Sequence, residues 1–489
     1  MLFNSYQYLI FLPVVVGVYF LLTHALRNSW LLAASYFFYM SWEPRYALLI
    51  LGSTIVAYGI AVLLTRVQSP KRRFLLLLVS LGSNLAVLFT FKYLGFFVRS
   101  IEIAGKLSGY TLDLPSLDLL LPVGISFYTF QTLSYSIDAY KKKVECERNF
   151  INFALYVSFF PQLVAGPIER PGNLMPQFRE KHSFEGARVA NGLKLICWGL
   201  FKKMVIADRL ALAVNAVYNQ PNVPEGPAIV LATVLFSYQI YCDFSGYSDI
   251  AIGSASILGV KLVNNFDRPY FSKSMADFWS RWHISLSTWF RDYVYIPLGG
   301  SRCLRRRVCV NLLIVFGISG LWHGADFTYI AWGLLHGGYL IAERFVKPIV
   351  DEKTMRWIGP RFPTFFSTIR VLWIFGFVTF AWLFFRANSI THAYFLVKAI
   401  PTGWSDIGFS FSGIEQVLGH LHLSTGSFGL IICLLILLET VSYLQRKTFC
   451  RKLFSDRPLW QRWPIYITLL LAILNLSIIE EIPFIYFQF

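Results

Sequence analysis

The chain has 489 residues, of which 56% are hydrophobic, 17% aromatic and only 15% charged, against about 25% charged in an ordinary soluble domain. A soluble protein of this length would need a charged surface that these residues cannot supply, so the soluble classes are excluded. The net charge of +17 does not point to nucleic acid, because the basic residues fall in short runs between long apolar blocks, as a cytoplasmic-side bias places them.

Taken in chain order, apolar blocks predict spans near 6–23, 29–41, 46–64, 74–97, 119–139, 150–165, 188–206, 227–241, 308–322, 327–343, 366–386, 426–444 and 464–480. A spanning helix needs about 20 mostly apolar residues, and some of these blocks are short enough to be re-entrant or merged. The expectation is an all-α polytopic integral membrane protein with about 11–13 transmembrane or re-entrant helices, read as one membrane domain over residues 1–489. The blocks are continuous and do not alternate with period two, which argues against a barrel. The first block, Tyr8–Leu22, lacks a basic leader and a small-residue cleavage site, so it reads as a retained span.

Arg66 and Lys71–Arg73, Lys141–Lys143 with Arg148, Arg302 with Arg305–Arg307, and Arg446, Lys447, Arg451, Lys452, Arg457 and Arg462 predict cytoplasmic loops. Loops 99–118 and 388–425 and the N-terminus, poor in net positive charge, are expected outside. The cysteines are Cys146, Cys197, Cys242, Cys303, Cys309, Cys433 and Cys450, with no CxxC pair; they read as reduced and structural.

Function in such a chain is sought among polar groups at membrane depth, where they are costly. Ser319–Asp326 interrupts two apolar blocks and carries His323 between Gly320 and Gly324. Burial favours a neutral imidazole, able to accept a hydroxyl proton; the competing reading is a core histidine satisfied by a carbonyl. His336 lies 13 residues further on, beside Gly333, Gly337 and Gly338. A turn at 324–326 would bring the two histidines closer, and helix packing is the favoured use of those glycines.

Segment 274–302 reads as one amphipathic helix, opened by Ser274 as N-cap with Asp277 in the first turn and ended by Pro297, Gly299 and Gly300. Trp282, Leu286, Trp289, Phe290 and Tyr293 fall on one face, and His283, Ser287 and Arg291 on another at i, i+4, i+8. Such a helix lies at the interface or lines a cavity; an ordinary surface helix has the same periodicity. Asp243 and Asp249 beside an apolar block are expected to cap the next helix, the alternative being a pairing with buried Arg or His. Pro161–Arg170 breaks a span, which membranes tolerate only where the backbone is covered by protein or lines a cavity. No HExxH, Walker loop, GxSxG or Cys/His zinc spacing occurs, so no metal site is expected.

Six segments carry a resemblance: LLPVGISFYTFQTLSYSIDAY ending at Tyr140, FFPQLVAGPIER (159–170), FKKMVIADRL (201–210), YCDFSGYSDIAIG (241–253), FWSRWHISLSTWFRDYVYIPLGGSR (278–302) and GLWHGADFTYIAWGLLHG (320–337). In this order they resemble the membrane-bound O-acyltransferase family, over most of the chain and closest to its bacterial alginate O-acetyltransferase membrane-subunit branch. The D-alanine-exporting relatives share the two histidine motifs but tend to be shorter.

The resemblance implies a buried tunnel with His323 as catalytic base and His283 as the second important position. Trp322, Ser287, Arg291, Asp292 and His336 are the candidate substrate-contacting positions around them. The resemblance also implies no bound cofactor and an acyl thioester donor, acetyl-CoA, on the cytoplasmic side. The acceptor is then an extracytoplasmic hydroxyl, on a partner protein or a polysaccharide such as alginate, and the location a cell (inner) membrane with the N-terminus outside. A covalent acyl relay on the protein, a non-enzymatic polysaccharide transporter and a recruiting scaffold remain as competing readings; the paired broken helices of many transporters are absent from the sequence pattern.

Overall fold

Long apolar runs free of strand periodicity have one way to satisfy their backbone in lipid, the α-helix. The computed structural model describes residues 1–111, 114, 120–164, 166–357, 362–407, 411–444, 458–478 and 482–487 and contains helices and turns with no strand among them. Residues 112, 113 and 115–119 and 408–410 of the expected outward loops, the Arg446–Arg457 basic run and Cys450 lie outside the described residues. By length and apolarity, five of the described helical runs can cross a membrane: Pro44–Arg66, Pro70–Leu107, Gly226–Leu258, Thr364–Arg386 and Thr425–Leu444. Tyr6–Leu21 and Phe150–Leu163 are shorter apolar helices. Large apolar side chains stand exposed on such helices, Leu75 at 61% and Leu372 at 62% among them. A water-soluble surface would not carry them in that density. The protein is an all-α, multi-pass membrane protein.

The described chain divides into two compact units, Met1–Ile196 with Tyr247–Asn264, and Cys197–Gly246 with Asn265–Phe489. In the first, α1 (Tyr6–Leu21) starts where the Ser5 hydroxyl accepts from the Tyr8 N–H at 3.3 Å. It is followed by α2 (His24–Met40), α3 (Ala47–Arg66) and α4 (Pro70–Leu88). A π turn at Phe89–Tyr93 leads into α5 (Leu94–Leu107), and α6 (Ile125–Tyr140) packs against α3 and α4. The α4–α6 seam is joined by small polar groups: Ser80 and Ser136 hydroxyls lie 2.7 Å apart, and Thr132 donates to Asn84 Oδ1 at 3.0 Å. Such pairs are how membrane helices satisfy buried hydroxyls. The expected span at 150–165 is broken at Phe159 into α7 (Phe150–Ser158) and α8 (Phe160–Leu163), and α9 (Pro171–Arg179) follows. Gln162, buried in the break, donates to the Tyr156 carbonyl at 2.7 Å.

α10 (Gly186–Leu200) runs on through a π turn, Phe201–Ala207, into α11 (Asp208–Tyr218), and α12 (Gly226–Leu258) is the longest helix of the chain's middle third. The expected cap at Asp243 is therefore a correction. The helix does not begin there but continues through Asp243 to Leu258, and Asp243 finds its partner, Lys203, inside the protein. In the second unit α13 (Met275–Arg281), α14 (Ile284–Phe290) and a π turn, Arg291–Tyr295, precede a tight hairpin of α15 (Arg305–His323) and α16 (Phe327–Trp357). α17 (Pro363–Arg386) packs on α16. The final long helix, Leu459–Leu476, packs on the Phe201–Ala207 turn.

Candidate active site

The α15–α16 hairpin is close because it lacks side chains at the contact. A Cβ on Gly320 would stand 2.2 Å from the Tyr329 carbonyl oxygen, and one on Gly333 2.1 Å from that of Phe316. Both glycines are thus packing residues, as expected of small residues between membrane helices, whereas nothing lies within 4 Å of a Cβ at Gly338. The hairpin ends α15 at His323, which is buried at 2% exposure. His336 is fully buried on α16, and the indole of Trp332 sits against both imidazoles, with ring centroids 4.9 Å away in each case.

His283 reaches the same place from another direction. The single amphipathic helix expected in segment 274–302 is two helices, α13 and α14, followed by the π turn Arg291–Tyr295. Its start holds as expected, since the Ser274 hydroxyl accepts from the Asp277 N–H at 3.0 Å. At His283 the backbone turns left-handed, φ +43° and ψ 54°. This is a conformation that costs a non-glycine residue about 1–3 kcal/mol and persists only where the surroundings enforce it. Asn265 is the enforcing residue: its carbonyl accepts from the Ile284 N–H at 2.9 Å and its side-chain oxygen from the Ser285 hydroxyl at 2.6 Å.

His283, Ser287 and Arg291 keep the expected i, i+4, i+8 spacing: the Ser287 N–H bonds to the His283 carbonyl at 2.9 Å and the Arg291 N–H to that of Ser287, and the π turn changes the register only beyond Arg291. Ser287 donates to the Trp282 carbonyl at 3.2 Å, while Arg291 pairs with its neighbour Asp292 at 2.8 Å on an exposed edge. Of the expected apolar face, Trp282, Leu286, Trp289 and Phe290 are buried and Tyr293 is half-buried.

The fully buried His283 ring lies 6.4 Å from that of His323, centroid to centroid. Trp322 stands 6.0 Å from the first ring and 4.9 Å from the second. Phe244 touches His283 edge-on at 4.6 Å, and Phe385 lies 5.5 Å from His323. Tyr486, which sequence reasoning did not single out, is the remaining wall, 5.6 Å from His323 and 6.3 Å from His283. Neither ring nitrogen of His283 or of His336 has a hydrogen-bond partner among the described residues. Two imidazoles walled mainly by aromatic rings can take up and return a proton.

The profile of the membrane-bound O-acyltransferase family matches residues 147–391, a stretch that contains both histidines. The chain is 35% identical, over all of its length and all of the relative's, to the probable alginate O-acetylase AlgI of Pseudomonas putida. The chain belongs to the membrane-bound O-acyltransferase family. It is also 35% identical to the peptidoglycan O-acetyltransferase of Helicobacter pylori, over 82% of this chain and 80% of that protein. A more distant relative is the teichoic acid D-alanyltransferase of Bacillus subtilis, 27% identical over 57% of this chain and 72% of that one.

This acyltransferase therefore gathers His323, His283 and Trp322 at one place, sets His336 one indole further along the same aromatic wall, and leaves Ser287, Arg291 and Asp292 in the positions given above. Beside the cage lies a charged cluster that the sequence reading also missed as a unit. Lys203 in the Phe201–Ala207 turn is 2.8 Å from Asp208 and 2.8 Å from Asp243. Three ionisable groups within apolar blocks were the available signal, since such groups are retained where they pair.

Proposed function

We propose that this acyltransferase passes acetyl groups from a thioester donor, acetyl-CoA, to hydroxyl groups destined for an exported or cell-surface polysaccharide such as alginate. The observation that carries the proposal is the buried pairing of His323 with His283, rings 6.4 Å apart, in a chain that matches an O-acetylase from end to end. His323 acts as general base: it takes the acceptor hydroxyl's proton as that oxygen attacks the thioester carbonyl. The C–O bond forms, the C–S bond breaks, and the proton passes to the departing thiolate. A positioned base contributes about 10²–10⁴-fold, and alignment of both substrates in a water-poor cage adds to it. His283 orients a substrate.

On this reading the donor arrives from the cytoplasm and the acceptor, a partner acyltransferase or the glycan itself, from outside a cell inner membrane. The distribution of Lys and Arg supports that sidedness. Single cysteines placed in 141–148 and in 388–425, in a background without native cysteines, check it on intact cells: an impermeant thiol reagent should label only the second. The function itself is tested on secreted polymer from a His323→Ala strain. Polymer of normal amount without O-acetyl esters is expected. Lost polymer at unchanged ester density would instead identify a transporter.

A further inference from the structure

Residues 482–487 bring the Tyr486 ring into the histidine cage, and their backbone is gripped by two buried charged side chains. Lys203 Nζ donates to the Ile482 carbonyl at 3.1 Å, and Asp243 Oδ2 accepts from the Ile485 N–H at 2.8 Å. The gripping groups are paired with each other, Nζ to Oδ1 at 2.8 Å, and the side chains of Lys203, Asp208 and Asp243 are 1%, 3% and 4% exposed. Apolar contacts also hold the segment, since Phe484 and Ile485 are buried and Phe484 lies 5.8 Å from Phe244. Apolar packing alone tolerates slippage along a chain. Charge-assisted hydrogen bonds at two points three residues apart fix register, and they are stronger than neutral ones. A buried ion group is weak evidence for stability, because desolvation offsets its attraction, and fixing one arrangement is a role such groups can serve.

We propose that the Lys203–Asp243 pair is a latch that holds residues 482–487 in register so that Tyr486 closes one wall of the histidine cage, and that acyl transfer depends on the latch. The proposal rests on the reading of the cage as the reaction centre. Lys203 and Asp243 are positioning residues: they act through the segment they hold. Asp208 provides the internal control, because it pairs with Lys203 but makes no bond to the segment.

Asp243→Leu and Asp208→Leu each leave one carboxylate for Lys203, and only the first removes the acceptor of the Ile485 N–H. The test is made in full-length protein without native cysteines, carrying Ile485→Cys as a buried reporter. Asp243→Leu should speed labelling of the reporter by a thiol reagent by at least about tenfold and slow turnover by at least about tenfold, as expected on loss of a charged hydrogen bond. Asp208→Leu leaves both bonds to the segment in place, so per folded molecule it should change labelling and turnover each by less than about threefold, whatever the loss of a buried pairing costs in stability. Equal effects of the two substitutions, or unchanged labelling in folded Asp243→Leu protein, would overturn the latch. Should Asp243→Leu fail to fold, deletion of residues 482–489 decides: monodisperse protein with transfer lost is expected, and wild-type turnover would refute the proposal. Because labelling is read without activity, a latch that opens as expected while His323→Ala stays active would sink the histidine assignment and leave the latch standing.

Discussion

The histidine cage and the Lys203 cluster are both buried in the second unit, and they handle buried polarity in opposite ways. Around His283 and His336 the neighbours are aromatic rings, and the ring nitrogens have no hydrogen-bond partner among the described residues. Around Lys203 two carboxylates stand at 2.8 Å and a carbonyl at 3.1 Å. Ring nitrogens without a partner among the described residues suit His283 to contact a passing substrate, and the charged partners of Lys203 suit it to hold a chain segment still. The contrast separates side chains retained for chemistry from side chains retained for position, and substitutions should respond accordingly.

The largest structural effect belongs to neither region but to the hairpin that presents His323. Gly333→Leu would drive a side chain into the Phe316 carbonyl, and overpacking of this kind costs about 1–3 kcal/mol or more. The expected outcome is loss of monodisperse protein in detergent chromatography. A stable Gly333→Leu protein would mean that the helices are not held this closely.

Next comes the cage. His283→Leu removes a polar group that has no hydrogen-bond partner among the described residues, so thermal stability should be unchanged or raised. Turnover should fall by about a hundredfold, the scale of a lost polar contact to a transition state. Destabilisation with activity per folded molecule intact would move His283 from the chemistry to the core. The smallest effect is expected at the exposed edge. Arg291→Ala breaks a solvent-facing pair with Asp292, and such pairs contribute about 0–1 kcal/mol; turnover within about threefold of wild type is expected. A large rise in thioester KM in that variant would place Arg291 on the donor instead.

The sequence carried the class of protein and the hairpin plainly. Two apolar blocks interrupted by a histidine leave room for a turn at 324–326, and the contacts at Gly320 and Gly333 show how closely the two helices then approach. His283 was visible as a polar position, but its left-handed backbone was not. Nothing in RWHIS marks a helix break, and the break is imposed by Asn265, a residue outside the motif. Asp243 was misread because an acidic residue beside an apolar block looks like a cap until its partner is known. Lys203 lies 40 residues before it, and pairing across that distance is tertiary information. Tyr486 left no trace in periodicity, since it sits in the short apolar stretch IPFIYFQF and gains its meaning only from the rings it meets.

The central claim, that the paired histidines are the reaction centre with His323 as base, is tested most directly by the rate of thiol release from acetyl-CoA in the presence of acceptor. The comparison is between purified wild-type and His323→Gln protein of matched thermal stability in lipid nanodiscs. A loss of at least about 10²-fold is predicted for a general base. A His323→Gln protein that keeps more than about a tenth of the wild-type rate would contradict the account.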